Sequence, residues 1–304
     1  MKKITLLDGS IGQEVVKRSG DRATALWSTM AMIDKPGIVD DVHADYFRAG
    51  ATVATTNTYP VLYDRLKRVG LENKIHHLWN IALTAATKAR DDHGSGRVAG
   101  SVGPLIASYR PDICPPAKEA EQLYSEIMAH LASRCDVILI ETMSSLDQAE
   151  GALRAAEKTG KPIWIALSVD DFDGAKLRSG ENLTDIKATL EAYTPEAVLI
   201  NCSRPEAVSD GVNILATFGY TFGAYANGFT KISDGFLKDA PTVDALEQRQ
   251  DLSPEAYADF AMDWVASGAT IVGGCCEVGP DHIKALKKWV PKNSNKDVQV
   301  IRLY

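Results

Sequence analysis

Two adjacent cysteines, Cys275 and Cys276, are the residues of this chain whose spacing points most directly to chemistry. They follow two glycines and an apolar stretch that predicts a short buried strand. Cys202 is placed in the same way, at the end of another apolar run. Thiolates are ligands of soft metals, and three of them leave one position of a tetrahedral zinc ion open. The pattern therefore predicts a Zn²⁺ site formed by Cys202, Cys275 and Cys276.

The alternative for these three cysteines is that they are small buried hydrophobic residues, as free cysteines often are. An adjacent pair with a third cysteine at another strand end favours metal ligation. Cys114 and Cys135 lack such a context, and we interpret them as structural or incidental. Five cysteines without a secretion signal do not predict a disulfide framework. The six histidines lie away from the predicted strand ends, which supports a site made of sulfur alone.

Two acidic residues, Asp8 and Glu141, each follow an apolar run and are expected at the ends of buried strands. Two carboxylates that face one cavity suit a ligand with an ammonium group. The alternatives are a turn-forming Asp before Gly9 and an acid that caps a helix.

Apolar runs alternate with amphipathic segments along the whole chain. The runs are continuous, as expected for strands buried on both faces. Predicted strands are 4–7, 52–55, 98–101, 137–140, 163–168, 197–200, 222–225 and 269–272. Predicted helices include 37–48, 117–134, 145–159, 183–192 and 254–266. Eight such alternations favour a single-domain (β/α)8 TIM barrel over residues 1–304, with an open doubly wound sheet as the alternative.

Composition limits the partners that we expect. The net charge of −7 over 304 residues, with no basic cluster among aromatics, argues against nucleic acid. No apolar run is long enough to cross a bilayer, and the apolar stretch 4–7 is too short for a signal peptide, so a cytoplasmic location is expected. Segment 228–252 lacks periodicity and predicts a functional loop or lid, or else a mobile surface insertion.

Several longer motifs identify a family. They are "LLDGSIGQEV", "LWS", "HADYFRAGATVATTNTY", "GSVGP", "ETMSSLDQAE", "NCSRPE" and "SPEAYADFAMDWVASGATIVGGCC". Over nearly its whole length the chain resembles the homocysteine S-methyltransferases, whose homocysteine-binding domain is shared by betaine- and S-methylmethionine-dependent enzymes. "GGCC" together with the distant "NC" is the specific part of this resemblance.

The resemblance implies a barrel with zinc on the three cysteines and the thiol of L-homocysteine at the fourth zinc position. A small methyl donor, a sulfonium or a betaine, would supply the methyl group, giving methionine. The implied substrate-binding residues are Asp8 and Glu141 for the amino group, Gly9 and Thr56 for the amino-acid pocket, Trp27 on the donor side, and Asn227 at the end of the seventh strand.

The chain departs from the family at the rim of the predicted site. Glu277 follows the cysteine pair, where the family usually has a glycine, and the segment after Tyr59 is also unusual. Four alternatives therefore stay open: a non-catalytic zinc barrel that binds a thiol amino acid, a different acceptor thiol, a methyl group delivered by a corrinoid, and a metal-free enzyme that uses Asp8 and Glu141 as acid and base.

Overall fold

A computed structural model describes residues 3–20, 26–237 and 245–290, which form one barrel of parallel strands surrounded by helices. The strands are β1 (Thr5–Leu6), β2 (Val53–Thr55), β3 (Arg97–Val102), β4 (Val137–Met143), β5 (Ile163–Leu167), β6 (Ala197–Asn201), β7 (Thr221–Tyr225) and β8 (Ile271–Val272). Their order in the sheet is β1-β8-β7-β6-β5-β4-β3-β2. The eight predicted strands and the (β/α)8 class are thus confirmed.

The barrel closes between β1 and β2 through side chains as well as backbone. No strand ladder joins this pair, but the Thr52 backbone N–H donates to the Leu6 carbonyl at 2.7 Å. The Thr52 hydroxyl accepts from the Leu6 N–H at 3.0 Å. Closer to the carboxyl ends of the two strands, the Asp8 carboxylate accepts from the Thr55 N–H at 2.6 Å and from the Thr55 hydroxyl. Asp8 therefore closes the barrel at its carboxyl end.

The α-helices are α1 (Ile11–Arg18), α2 (Ser28–Asp34), α3 (Ile38–Ala49), α4 (Tyr63–Lys67), α5 (Ile75–His93), α6 (Ala117–Ala132), α7 (Leu146–Glu157), α8 (Lys187–Tyr193), α9 (Pro205–Leu215), α10 (Pro254–Ala266) and α11 (Pro280–Trp289). Ser145 and Ser253 cap α7 and α10, each accepting from a backbone N–H at 3.2 Å. The predicted helix 183–192 is divided, because a 3₁₀ turn at Leu183–Ile186 precedes α8. No helix in the described ranges has the length and apolarity to cross a bilayer.

Two apolar cores position the site. One lies between strands and helices, and the other fills the barrel interior. The interior core contains Leu7, Val53, Ala99, Val137, Leu139, Trp164, Ala166, Ala197, Leu199, Tyr225 and Ile271. Because these side chains fill the barrel, the space for a ligand lies above them, at the carboxyl ends of the strands.

The predicted loop 228–252 has an ordered base. The Thr230 N–H donates to the Glu247 carbonyl at 2.9 Å, and the Arg249 N–H donates to the Gly228 carbonyl at 2.8 Å. Phe229, Phe236 and Leu246 line the cavity described below. Residues 238–244 of this segment lie outside the described ranges.

Candidate active site

A cavity of about 320 Å³ opens at the carboxyl ends of the strands. Eight of the nine predicted site residues line it: Asp8, Gly9, Trp27, Thr56, Glu141, Cys202, Cys275 and Cys276. Asn227 is buried but does not line the cavity. Its side-chain oxygen accepts from the Phe229 N–H at 3.2 Å, while its Nδ2 has no hydrogen-bond partner among the described residues.

The three cysteine sulfurs lie within 4.8 Å of one another, although the chain brings them from two strand ends. Cys202 and Cys275 are joined by a disulfide, and Cys276 is a free thiol. The sequence did not predict this disulfide, which links residues 73 positions apart. Sulfurs gathered closely enough to share a metal are also close enough to pair, so a three-thiolate site requires the disulfide to be reduced.

The β8 end is shaped by steric packing. A Cβ added at Gly274 would lie 2.0 Å from Cγ1 of Val278, and one added at Gly9 would lie 2.0 Å from the Val278 carbonyl oxygen. The Val278 N–H in turn donates to the Cys275 carbonyl at 3.1 Å. These glycines therefore admit a neighbouring segment of the protein, which in turn holds the cysteine turn in place.

Glu277 lies just after the cysteine pair, in the left-handed backbone region with φ of 65°. The family that this chain resembles usually has glycine at this position, and glycine adopts such a φ without strain. Here α1 stabilises the turn. Gln13 donates to the Glu277 carboxylate at 2.6 Å and accepts from its backbone N–H, and Lys17 pairs with the same carboxylate at 3.0 Å.

The β6 end is held differently. Cys202 also has a positive φ, of 49°, and its N–H makes only a long hydrogen bond, 3.3 Å, to the Tyr225 carbonyl. Its own carbonyl accepts from Arg178 at 3.1 Å. Arg178 comes from the segment after β5, so a side chain from another loop orients this cysteine.

Asp8 and Glu141 are both buried in the cavity wall. Burial raises the pKa of Asp8 to about 7 despite its hydrogen bonds from Thr55, and the nearby Glu141 carboxyl acts in the same direction. Glu141 accepts from the Ser101 hydroxyl and, at 3.0 Å, from Tyr225 OH. Burial likewise raises the pKa of Glu141 to about 7, against these hydrogen bonds. A bound cation would favour the ionised form of both carboxyls.

Aromatic side chains form another part of the wall. Trp27 and Tyr59 meet edge to face with ring centroids 6.4 Å apart, and Tyr59 OH lies 2.7 Å from the Ser108 hydroxyl. Arg65 lies over the Tyr59 ring at 5.5 Å. Such rings suit a cationic or sulfonium ligand.

Backbone strain is concentrated around this cavity. Seven non-glycine residues of the described ranges have positive φ, and five of them line it. These five are Trp27, Ile106, Tyr109, Thr142 and Cys202. Strained backbone persists where the surrounding structure holds it and is frequent at functional sites.

Sequence reasoning gave no role to several residues that hold the site. Thr55, Ser101 and Tyr225 bind the two carboxylates, and Thr142 exchanges hydrogen bonds with Asn201. Their position at strand ends was the available signal for most of them. Thr56 uses its hydroxyl within the wall, where it contacts the Thr58 hydroxyl at 2.7 Å and accepts from the Ser101 N–H at 3.0 Å.

Comparisons with known proteins give matches over nearly the whole chain. The homocysteine S-methyltransferase of Escherichia coli is 29% identical over 93% of this chain and 94% of its own length. Homocysteine S-methyltransferase 1 of Zea mays is 26% identical over 93% of each chain. The crystal structure of the homocysteine methyltransferase MmuM from Escherichia coli, in its metallated form, matches with a TM-score of 0.79 at 25% identity, covering 95% of this chain and 96% of that one.

The profile of the homocysteine S-methyltransferase family matches residues 5–290, nearly the whole chain. This match spans the Asp8 turn, the Glu141 strand end and all three cysteines. The chain therefore belongs to the homocysteine S-methyltransferase family, enzymes that transfer a methyl group to homocysteine.

Proposed function

We propose that this protein makes methionine by zinc-dependent transfer of a methyl group from a small activated donor to the thiol of L-homocysteine. The donor would be a sulfonium, such as S-methylmethionine or S-adenosylmethionine, or a betaine. The observation that carries the proposal is the convergence of three sulfurs, within 4.8 Å of one another, on a cavity that also contains two buried carboxylates.

The three sulfur ligands suit zinc. Cys202, Cys275 and Cys276 offer three soft ligands and, once the disulfide is reduced, leave a tetrahedral position for a fourth sulfur. Burial raises the pKa of the Cys276 thiol to about 12, so this sulfur ionises near neutral pH only beside a strong positive charge. When bound, zinc would supply that charge and keep the sulfur of homocysteine as a thiolate, whereas a free thiol, with a pKa of about 8.5, is mostly protonated.

The chain's own residues would bind and orient both substrates. Asp8 and Glu141 would pair with the ammonium group of homocysteine, which compensates the cost of ionising two buried carboxyls. Gly9 and Thr56 would border the amino-acid pocket. Trp27 and Tyr59 would face the cationic donor, so that sulfur, methyl carbon and leaving group can align. Asn227 would act from behind this surface, through the loop that begins at Phe229.

The donor panel is the experiment that tests this proposal. The reduced, zinc-loaded protein is assayed for methionine formation from L-homocysteine with S-methylmethionine, S-adenosylmethionine, dimethylsulfoniopropionate and betaine in parallel. We expect turnover with at least one of them and about one zinc per chain. The Cys276→Ala variant should lose the zinc and the turnover. Cys114→Ala is the matched control, because Cys114 is a free, half-buried thiol outside the cavity.

Each contrary outcome has a definite meaning. Full activity without zinc would favour a metal-free enzyme that uses Asp8 and Glu141 as acid and base. Zinc and L-homocysteine binding without turnover on any donor would contradict the proposed donor class and favour a non-catalytic thiol-binding barrel. Turnover with a methylated corrinoid alone would mean that the methyl donor is a corrinoid. Turnover with another thiol alone would mean that the acceptor is not homocysteine.

A further inference from the structure

One ion pair in the structure is almost fully buried. Arg178 and Asp171 meet at 2.8 Å, with side chains only 9% and 5% exposed. In every other ion pair among the described residues, at least one side chain is 30% exposed or more. A buried ion pair is weak evidence for stability, because the loss of hydration offsets its attraction and apolar residues often replace it without cost. The role of this pair is therefore sought in the groups that it contacts.

Arg178 contacts a metal-ligand candidate through its backbone. Its Nη2 donates to the Cys202 carbonyl at 3.1 Å, and its Nε donates to the Ser168 hydroxyl at 2.8 Å. Both remaining bonds go to Asp171, at 3.2 and 2.8 Å. Cys202 lies in the left-handed backbone region, which a residue with a side chain rarely adopts unless its surroundings hold it there. The planar guanidinium thus orients the peptide that carries the Cys202 sulfur.

The same ion pair contacts a second part of the cavity wall. The Arg178 guanidinium lies 4.7 Å from the centre of the Tyr109 ring, and Tyr109 packs against Phe236 with ring centroids 5.9 Å apart. Asp171 accepts from the Ile232 N–H at 2.7 Å. Tyr109 and Phe236 line the cavity, whereas Arg178 and Asp171 do not.

We propose that Arg178, held by Asp171, is a positioning residue. It fixes the position of Cys202 relative to the part of the cavity wall formed by Tyr109 and Phe236. This inference rests on the proposed function, in which Cys202 ligates zinc and the methyl donor binds in the cavity that Tyr109 and Phe236 also line. Neither Arg178 nor Asp171 lines the cavity, so neither is placed to contact a substrate bound there. They act through the Cys202 carbonyl on one side, and through Tyr109 and the Ile232 N–H on the other.

The test is a set of variants compared with the wild type for zinc affinity, donor KM, kcat and unfolding midpoint. Arg178→Met removes every polar contact of the guanidinium. We expect zinc affinity, measured by competition with a chelator, to fall about 10- to 100-fold, the range seen when groups that orient metal ligands are removed. Donor KM should rise by about 10-fold at saturating zinc. Arg178→Lys keeps the charge without the planar fork and should be intermediate in both. Arg154→Met, which removes a half-exposed ion pair on α7, is the control and should change neither.

The double variant Arg178→Met/Asp171→Leu separates positioning from stability. It leaves no unpaired buried charge, so its unfolding midpoint should recover most of what Arg178→Met loses, short of the contribution of the Ile232 N–H, which loses its acceptor. Its zinc affinity and donor KM should nevertheless stay impaired. If zinc affinity and donor KM recover together with the unfolding midpoint, the ion pair is only structural and the inference is overturned. Wild-type zinc affinity and donor KM in Arg178→Met would overturn it as well. A wild-type protein that binds no zinc would instead overturn the proposed function, and this inference with it.

Discussion

The two sides of the cavity mouth each supply a carboxylate and cysteine sulfur, but they are built differently. On one side, Asp8 follows β1, and Cys275 and Cys276 follow β8, its neighbour in the sheet. Backbone contacts join these two ends directly, since the Gly274 N–H donates to the Asp8 carbonyl at 3.0 Å. Tight packing of Val278 against Gly274 completes this side.

On the other side, Glu141 lies near the carboxyl end of β4 and Cys202 follows β6, with β5 between these two strands in the sheet. Side chains hold this side together. Tyr225 OH binds Glu141, and Arg178 binds the Cys202 carbonyl from a distant loop. The comparison teaches that cysteine ligands of one site can be positioned by backbone contacts and close packing or by the hydrogen bonds of a remote side chain. The cysteine pair of the first side should be lost when volume changes, and Cys202 of the second side when charge or hydrogen bonding changes.

The largest effect is expected from Gly274→Ala, which adds volume on the β1/β8 side. The new methyl would lie 2.0 Å from Cγ1 of the buried Val278, so the cysteine turn must shift. We expect the free energy of unfolding to fall by about 1–3 kcal/mol. Stoichiometric zinc binding and methyl transfer should both be lost. The measurements are chemical denaturation and metal analysis of the purified protein.

Gly235→Ala is the matched control for this change. A Cβ at Gly235 would meet its nearest atoms at 3.6 and 3.7 Å, in ordinary contact, and should leave stability and zinc content unchanged. A Gly274→Ala protein with wild-type zinc content would contradict the idea that packing holds this side.

The second-largest effect is expected from substitutions of the two buried carboxylates, Asp8 and Glu141. Removing either charge should weaken amino-acid binding by roughly 10- to 100-fold, the value of a hydrogen bond to a charged group. Their structural effects should differ. Asp8→Ala strands the Thr55 backbone N–H at the barrel closure and should lower the free energy of unfolding by about 1–3 kcal/mol. Glu141→Ala strands only the hydroxyls of Ser101 and Tyr225, which can turn to other acceptors, and should cost less.

Binding of L-methionine, which lacks a thiol, reports on the amino-acid pocket without the metal chemistry and can be followed by calorimetry. Asp8→Asn is the control, because its amide can still accept from Thr55 while it lacks the charge. It should lose affinity and keep stability. Equal destabilisation by Asp8→Ala and Glu141→Ala would remove the proposed difference between the two sides.

The same contrast explains what the sequence could predict. The strands were recognised because each is a continuous apolar run, and the cysteine pair because it follows glycines directly in the chain. Helix α5 was not predicted, since its buried face includes Ala82, Ala85, Ala86 and Ala89, a weak hydrophobic signal. The Arg178–Asp171 pair was not predicted either. It lies in an irregular segment, where charged residues resemble surface residues, and Arg178 acts on a cysteine 24 positions away. Pattern reveals what is local in the chain, and only the fold reveals the remote contacts.

The smallest effect is a dependence of amino-acid affinity on pH. The pKa values of Asp8 and Glu141 are raised by burial to about 7, so in the ligand-free protein both carboxyls bind protons more readily than they do in the unfolded chain. An ammonium ligand favours the ionised forms. Binding of L-methionine should therefore release protons near pH 6.5, and its affinity should rise between pH 6 and 8, by less than about 10-fold for each carboxyl that ionises.

Calorimetry in two buffers of different ionisation enthalpy measures this release directly. Glu141→Gln should reduce the number of protons released, because one of the two titrating groups is gone, whereas Glu255→Gln on the exposed start of α10 should not. Proton uptake on binding, or affinity that falls from pH 6 to 8, would mean that the ammonium group is held elsewhere. Because each side contributes one carboxyl, the loss in Glu141→Gln relative to Asp8→Asn also measures how the two sides share the bound cation.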